Sequence, residues 1–356
     1  MLKISAESEK SMSPTISIVV PCRNEKGHIE TCLESILRQQ LPAGDIEVIV
    51  ADGMSEDGTR EILMRMAEQD SRLHMVDNPS GTTPSGFNVG IKAARGQYIG
   101  ILGAHTQYAS DYVRTCVKLL EEHLEVCCTG GPIISQGRSS FGRAVAAVMS
   151  HPVGVGNARH RFPDYEGYAE GACYPMFRRE VFEKVGLYDE NLIRNQDDEF
   201  NYRLTRAGEK VFISPRARST YFVRESPSQL FRQYFQYGFW RVAVLRKHRL
   251  PASLRQIVPP LFMSFMLVLA ILGLSLPGWW RLAAGALPLV YAATLLIVGA
   301  KESGKAGWRV AGLFPVAAAI MHAAYAAGFV WGVLKNPYRA AQGVPSNKGK
   351  CHASRT

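Results

Sequence analysis

The chain has 356 residues, too many for one small domain and enough for a well-buried core. Hydrophobic residues make up 47% and charged residues 20%, a globular average that hides a shift: charges run through the first part and almost vanish after Arg255. The net charge of +10 admits nucleic acid, an anionic membrane surface or an acidic substrate as partner.

Seven cysteines without a CxxC pair or a Cys/His spacing argue against zinc and read as reduced thiols of a cytosolic compartment. Residues 1–14 are polar and lack a signal-peptide apolar stretch, so a flexible N-terminus and a first domain in the cytoplasm are expected.

Ile16–Pro21 (ISIVVP) is a short β-branched run, as a buried parallel strand requires. Ile29–Arg38 then carries Ile29, Cys32, Leu33, Ile36 and Leu37 at helical spacing. The alternation continues with a strand at Ile46–Ala51, a helix at Thr59–Gln69 and a strand at Leu73–Val76. A helix at Pro84–Ala94 and a strand at Tyr98–Leu102 complete it. Strand and helix at this interval predict an α/β fold with a doubly wound parallel sheet. Such sheets bind ligands beyond the carboxyl ends of their strands, here just after Val20, Val50 and Leu102.

After Ser226 comes LFRQYFQYGFWRVAVLRKHRL, an aromatic and basic stretch. Helical spacing puts Leu230, Tyr234, Tyr237 and Trp240 near one face, which predicts an amphipathic helix on a membrane with basic residues reaching for anionic headgroups. The apolar runs Val258–Leu276, Leu282–Ala300 and Val310–Leu334 follow, each long enough for a bilayer core of roughly 30 Å. Trp279, Trp280, Trp308 and Trp331 sit near their ends, where interfacial aromatics belong. Ala319, Ala323 and Ala327 form a small-residue stripe suited to close helix packing. Three spans are the expected arrangement. They put the 301–309 linker inside and the basic tail (Lys335, Arg339, Lys348, Lys350, Arg355) outside; a re-entrant third segment would bring both inside. The basic residues cluster at the membrane junction, so nucleic acid is not the expected partner.

Two turns carry the first chemistry. Pro21-Cys22-Arg23-Asn24-Glu25 follows strand one, and Asp52 opens the turn Asp52-Gly53-Met54-Ser55-Glu56-Asp57-Gly58-Thr59 after strand two. A carboxylate at a strand's carboxyl end can accept hydrogen bonds from a ribose or a base. Gly53 and Gly58 permit tight turns, and Asp57 can cap the next helix. Either turn alone reads equally well as simple loop structure.

Together, SIVVPCRNE and VIVADGMSEDGT resemble the start of family 2 glycosyltransferases of the GT-A fold, and the likeness runs through Asn88-Val89-Gly90 and Ala94–Tyr98. The resemblance covers roughly the first 245 residues and implies a GT-A catalytic domain over 15–225. An interfacial helix region at 226–256, membrane helices over 257–334 and a basic tail at 335–356 complete the expected organisation. It implies donor-side roles for Pro21, Arg23, Glu25, Asp52 and Asp57. The family usually shows Asp-x-Asp after strand four, holding a divalent metal against the diphosphate. Here those positions are Gly103 and His105, so a Mn or Mg cofactor is placed in doubt; His105 is expected to contact the metal or a phosphate directly.

Glu170–Arg179 resembles the family's acceptor-side strand, and Gln196-Asp197 falls on its Glu-Asp pair. The resemblance implies that Asp197, with Asp198 second, is the general base of an inverting displacement. An acidic helix N-terminus is the structural alternative. Gln236-Tyr237-Gly238-Phe239-Trp240 faintly resembles the Gln-x-x-Arg-Trp element of processive synthases, with Phe239 in the Arg position and Arg241 adjacent, so Gln236, Trp240 and Arg241 are expected on the acceptor or membrane side. The implied activity is transfer of a sugar from a nucleotide sugar, a UDP-sugar by expectation, to a lipid-linked acceptor at the cytoplasmic face of the inner membrane. A processive synthase and a catalytically dead nucleotide-binding scaffold stay open as alternatives.

Overall fold

The computed structural model describes residues 15–41, 46–249, 254–275 and 277–338. The N-terminal 1–14 and the tail residues Arg339, Lys348, Lys350, Cys351 and Arg355 lie outside them.

The expected alternation is present: β1 (Ile16–Cys22), α1 (Ile29–Leu37), β2 (Ile46–Asp52), α2 (Thr59–Gln69), β3 (Leu73–Asp77), α3 (Thr83–Ala93) and β4 (Tyr98–Ile101). Strands β1 and β2 are almost wholly buried, as their unbroken apolar runs require. Next come α4 (Tyr112–Glu122), β5 (Val126–Gly131), β6 (Ile133–Gln136), α5 (Ser140–Met149), α6 (Pro152–Val155), β7 (Gly167–Ala169) and β8 (Cys173–Arg178). The domain ends with α7 (Glu180–Val185), α8 (Gln196–Arg206), β9 (Lys210–Ile213) and β10 (Ser219–Phe222).

The main sheet has the order β3-β2-β1-β4-β8-β5-β9-β7. Its first four strands are parallel, as expected, but β8 inserts antiparallel between β4 and β5, so the sheet is mixed. A parallel pair, β6 with β10, stands apart. Two apolar clusters sandwich the sheet: Ile18, Val20, Leu33, Ile36 and Tyr112 on one face, and Val19, Ile99, Phe177, Phe200 and Leu204 on the other. Neighbouring β1 residues thus serve opposite layers, as a period of two dictates.

Four helices finish the chain: α9 (Pro227–His248), α10 (Val258–Ser275), α11 (Trp279–Ala306) and α12 (Trp308–Lys335). The last three are long and apolar enough to cross a bilayer. They expose Leu261, Leu267, Leu274, Leu289 and Leu296, a surface that water would penalise and hydrocarbon would not. All four expected tryptophans are exposed near helix ends. Inside this layer His322 is bonded to Tyr291 of α11 (Nδ1 to Oη 2.8 Å), which satisfies its polar ring among apolar residues.

One expectation about this region needs correction. Of the stripe Ala319, Ala323 and Ala327, only Ala319 is packed, half-buried against the apolar cluster with α5, while Ala323 and Ala327 are exposed; the main packing face is Ala317, Met321, Ala324, Gly328 and Gly332, one step round the helix. Helix α9, expected as an amphipathic helix on a membrane, also packs on another helix. It crosses α12 at van der Waals distance, because glycine removes the side chains at the contact. A Cβ on Gly238 would stand 2.0 Å from the Tyr325 carbonyl oxygen, and one on Gly328 would stand 1.9 Å from that of Phe235. Helix α5, which apolar periodicity alone did not reveal, packs Ala144, Val145, Val148 and Met149 against Val310, Phe314 and Ala318. The α/β domain is therefore joined to the long apolar helices by two packed helices.

Candidate active site

Parallel strands that end together bring their loops to one place. The ends of β1 and β4, strand β8 and the start of α8 surround a cavity of about 470 Å³, a size suited to a small-molecule ligand. Pro21, Arg23 and Glu25 line it from the β1–α1 turn, His105 from the loop after β4, and Asp197 from α8. Five of the residues singled out in the sequence thus converge on one cavity.

The β1–α1 turn is held open by the turn after β2. Asn24 sits in the left-handed region (φ 53°); its amide donates to Ser55 Oγ (2.8 Å), and its Oδ1 accepts from the Glu56 amide (3.0 Å). The Glu25 amide donates to Thr59 Oγ1 (2.9 Å) and the Lys26 amide to Asp57 Oδ2 (3.2 Å). Asp57 also accepts from the Thr59 hydroxyl and amide, so it does help to start α2; the hydroxyl bond leads in holding its carboxyl below the usual range. Asp57 is exposed but does not line the cavity.

Asp52 is fully buried and does not line the cavity either. Its carboxylate accepts from Ser55 and from Arg60 Nη1 (2.6 Å), and Arg60 Nη2 reaches Asp77 Oδ1 (2.8 Å). In this state Asp52 ties the ends of β2 and β3 together. Arg23 lies across the same ledge, its Nη1 3.2 Å from the Gly81 carbonyl oxygen.

The loop after β4 departs furthest from the family pattern. A carboxylate at Gly103 would be crowded: its Cβ would meet Tyr174 Cε1 at 3.2 Å, so the ring would have to give by a few tenths of an ångström. Tyr174 holds that place through its hydroxyl, bonded to Thr106 Oγ1 (2.9 Å), and adopts φ 49° to do so. His105 Nδ1 faces Glu25 Oε1 at 3.3 Å. Among the described residues no three His, Cys, Asp or Glu side chains gather as a metal would need. One imidazole and one carboxylate do not fit a two-carboxylate site for a hard divalent cation.

On α8 the two aspartates part company. Asp197 opens onto the cavity, while Asp198 turns away and pairs with Arg241 Nη2 (2.5 Å). Protein surrounds Asp197 on most sides although its carboxylate still meets the open cavity; this crowding, then the neighbouring Asp198 charge, raises its pKa to about 6. Asn195, in the left-handed region before α8, donates Nδ2 to the Tyr237 carbonyl (3.1 Å) and fixes the helix start against α9.

Gln236, Trp240 and Arg241, expected on the acceptor or membrane side, do not line the cavity. The helix phase brings Tyr237 to it instead, while Trp240 packs beside Leu192 and Arg241 is buried under α8. Sequence reasoning also missed Arg161 and Tyr221, and it held Tyr174 only as one residue of the Glu170–Arg179 stretch; all three line the cavity. The cluster Arg159-His160-Arg161 amid aromatic residues was the available signal.

Glycosyl transferase family 2 matches residues 17–186. Succinoglycan biosynthesis protein ExoA of Rhizobium meliloti (strain 1021) is 33% identical over 90% of this chain and 96% of its own length. The dolichyl N-acetyl-alpha-D-glucosaminyl phosphate 3-beta-D-2,3-diacetamido-2,3-dideoxy-beta-D-glucuronosyltransferase of Methanococcus voltae is 27% identical over 65% of this chain and 74% of its own. Among solved structures, the mannosyltransferase PcManGT from Pyrobaculum calidifontis, in complex with GDP-Man and Mn2+, superposes with a TM-score of 0.51 at 20% identity. It covers 93% of this chain and 86% of its own, a likeness of fold. The chain belongs to glycosyltransferase family 2: it is a glycosyltransferase of the GT-A fold, followed by three helices able to span a membrane.

Proposed function

We propose that the chain is an inverting transferase that moves one sugar from a nucleotide-sugar donor, a UDP-sugar, to a lipid-linked acceptor. The reaction takes place at the cytoplasmic face of the inner membrane, in exopolysaccharide or cell-surface glycan synthesis. The observation that carries this reading is Asp197, open to the same cavity as the Pro21–Glu25 turn and His105, on a helix fixed to α9 and thereby to α12.

In this reading the acceptor hydroxyl oxygen attacks the anomeric carbon, and its proton passes to Asp197 as the new bond forms. The bond from the anomeric carbon to the diphosphate breaks, its electron pair leaving with the phosphate oxygen. A base with pKa about 6 is ionised at neutral pH yet still able to take a proton. In the same reading His105 meets the developing phosphate charge and Arg23 serves the donor; that both line the cavity supports these roles. No step is assigned to a metal, because the donor set does not fit one.

The lipid acceptor is supported by location: the cavity wall includes Tyr237 of α9, and α9 packs on a helix able to span a bilayer. The relative ExoA, by its name a succinoglycan biosynthesis protein, supports an exopolysaccharide setting. The test is a panel of radiolabelled nucleotide sugars offered to membranes containing the full chain, with solvent extraction of the product. Label of single-sugar size in the lipid fraction is expected. Label in long polymer would indicate a synthase, and no transfer from any donor would contradict the reading.

A further inference from the structure

Arg161 stands in the cavity wall with a buried guanidinium nitrogen, Nη1, that has no hydrogen-bond partner among the described residues. That nitrogen is the atom left to be met by something outside the described residues. Arg203 is matched by Glu199 and two carbonyls and Arg178 by two carbonyls; Arg241 and Arg179 keep unpartnered nitrogens as well, but each is anchored through another, to Asp198 and to the Gly96 carbonyl, and neither lines the cavity. A fixed cation inside a protein is costly unless an anion or several acceptors meet it, and arginine cannot shed its proton.

The groups that act on Arg161 most strongly are neutral, the tyrosines 221, 234 and 237 and the thiol of Cys173, which burial pushes up to about 12; the Asp197 carboxylate lines the same cavity. Tyr221 and Tyr237 each accept a hydrogen bond from Gln233 Nε2, at 2.9 and 3.1 Å. Their own hydroxyl protons remain available beside the guanidinium, in the wall of the same cavity. A forked cation with phenol donors around it matches the oxygens of a phosphate. Gly103, in the wall of the same cavity, provides no carboxylate through which a metal could neutralise that charge.

We propose that Arg161, flanked by Tyr221 and Tyr237, is a phosphate-binding residue of this cavity, meeting by direct hydrogen bonds a charge that no metal-binding pair of carboxylates is present to meet. The ligand is a phosphate ester or diphosphate; the donor's diphosphate and a phosphate on a lipid-linked acceptor share this chemistry. The inference uses the proposed glycosyl transfer only to name those two sources, and anion binding is measured without any sugar.

The experiment titrates inorganic pyrophosphate and geranyl monophosphate into the full chain in phosphatidylcholine nanodiscs with EDTA present, by calorimetry. Arg161→Gln should weaken at least one probe by about tenfold or more. Arg161→Lys, which keeps the charge but loses the fork, should recover part of the loss. Arg159→Gln removes the neighbouring positive charge, which is bonded instead to Tyr165 and the Tyr168 carbonyl; it should bind as the unaltered protein does. A loss confined to pyrophosphate assigns the donor, and one confined to geranyl monophosphate assigns the acceptor. Unchanged binding of both probes by Arg161→Gln would overturn the proposal. So would equal weakening by Arg159→Gln, or failure of the unaltered chain to bind either probe. Intact tryptophan fluorescence and thermal unfolding of Arg161→Gln separate lost binding from lost folding, and Arg161→Lys carries the test if that variant unfolds.

Discussion

Arg241 of α9 donates Nη2 to Asp198 Oδ2 at 2.5 Å, with the arginine side chain 10% exposed and the aspartate 35%. The helix that carries Asp197 is thereby pinned to the helix packed on α12. The pair is unequal: Asp198 can reach water, whereas Arg241 keeps Nε and Nη1 buried without partners. Asp198→Ala should therefore destabilise more than Arg241→Met, by on the order of 3 kcal/mol against about 1. Thermal unfolding in detergent checks the order. The double variant should recover much of the loss, since no unpaired charge then remains buried.

The same pair tunes the base. Arg241 holds the Asp197 pKa down and Asp198 pushes it up. The acid limb of kcat/KM should fall tenfold per unit below a pH of about 6. Arg241→Met should move that limb to higher pH and Asp198→Asn to lower pH. An unmoved pH profile in both variants would make the contact purely structural.

The raised pKa also has a stability sign. Asp197 binds its proton more tightly in the folded state, so ionising it costs stability as pH rises from the ordinary carboxyl range through about 6. Asp197→Asn is thus expected to raise the melting temperature at pH 7–8 and to leave it unchanged near pH 4. A variant less stable at neutral pH would show that the environment favours the charged form.

Restoring the family's first carboxylate should fail by steric conflict. Gly103→Asp sets its Cβ at 3.2 Å from Tyr174 and should cost about 1–3 kcal/mol. Adding Tyr174→Gly clears the space and relieves the positive φ. Only that double variant is expected to gain stimulation by Mn2+, read as transfer with and without EDTA.

The glycine crossing of α9 and α12 is open to a direct challenge. Gly328→Leu cannot be absorbed, because the nearest atom to a new Cβ is the Phe235 carbonyl oxygen at 1.9 Å. Helix separation should cost 3 kcal/mol or about that, and limited proteolysis should cut between β10 and α10 in the variant only.

Much of this was legible in the sequence, for a physical reason. Buried parallel strands need continuous β-branched runs, and Ile16–Pro21 and Ile46–Ala51 have them, so the ends of β1 and β2 could be located. The two turn motifs were legible as a unit because they bond to each other through Asn24, Ser55, Asp57 and Thr59. The strand β8 was recognisable as part of the Glu170–Arg179 stretch that resembles the family, but nothing local in Cys173–Arg178 marks it as antiparallel. Burial of Arg241 was also hidden, since a helix rich in arginine reads as a solvated or headgroup face until its partner Asp198 is located. Periodicity reports which residues share a face and not what covers that face, which is why the stripe on α12 was assigned one step out of phase. Arg161 falls in a short irregular segment where no period exists to read.

The central claim is that Asp197 is the base of the transfer. Its most direct test is Asp197→Asn in the full chain, with sugar transfer to extracted lipid and UDP binding measured on the same preparation. The account predicts transfer reduced by a thousandfold or about that, with UDP affinity kept within about threefold. Transfer near the level of the unaltered enzyme, with binding intact, would contradict it.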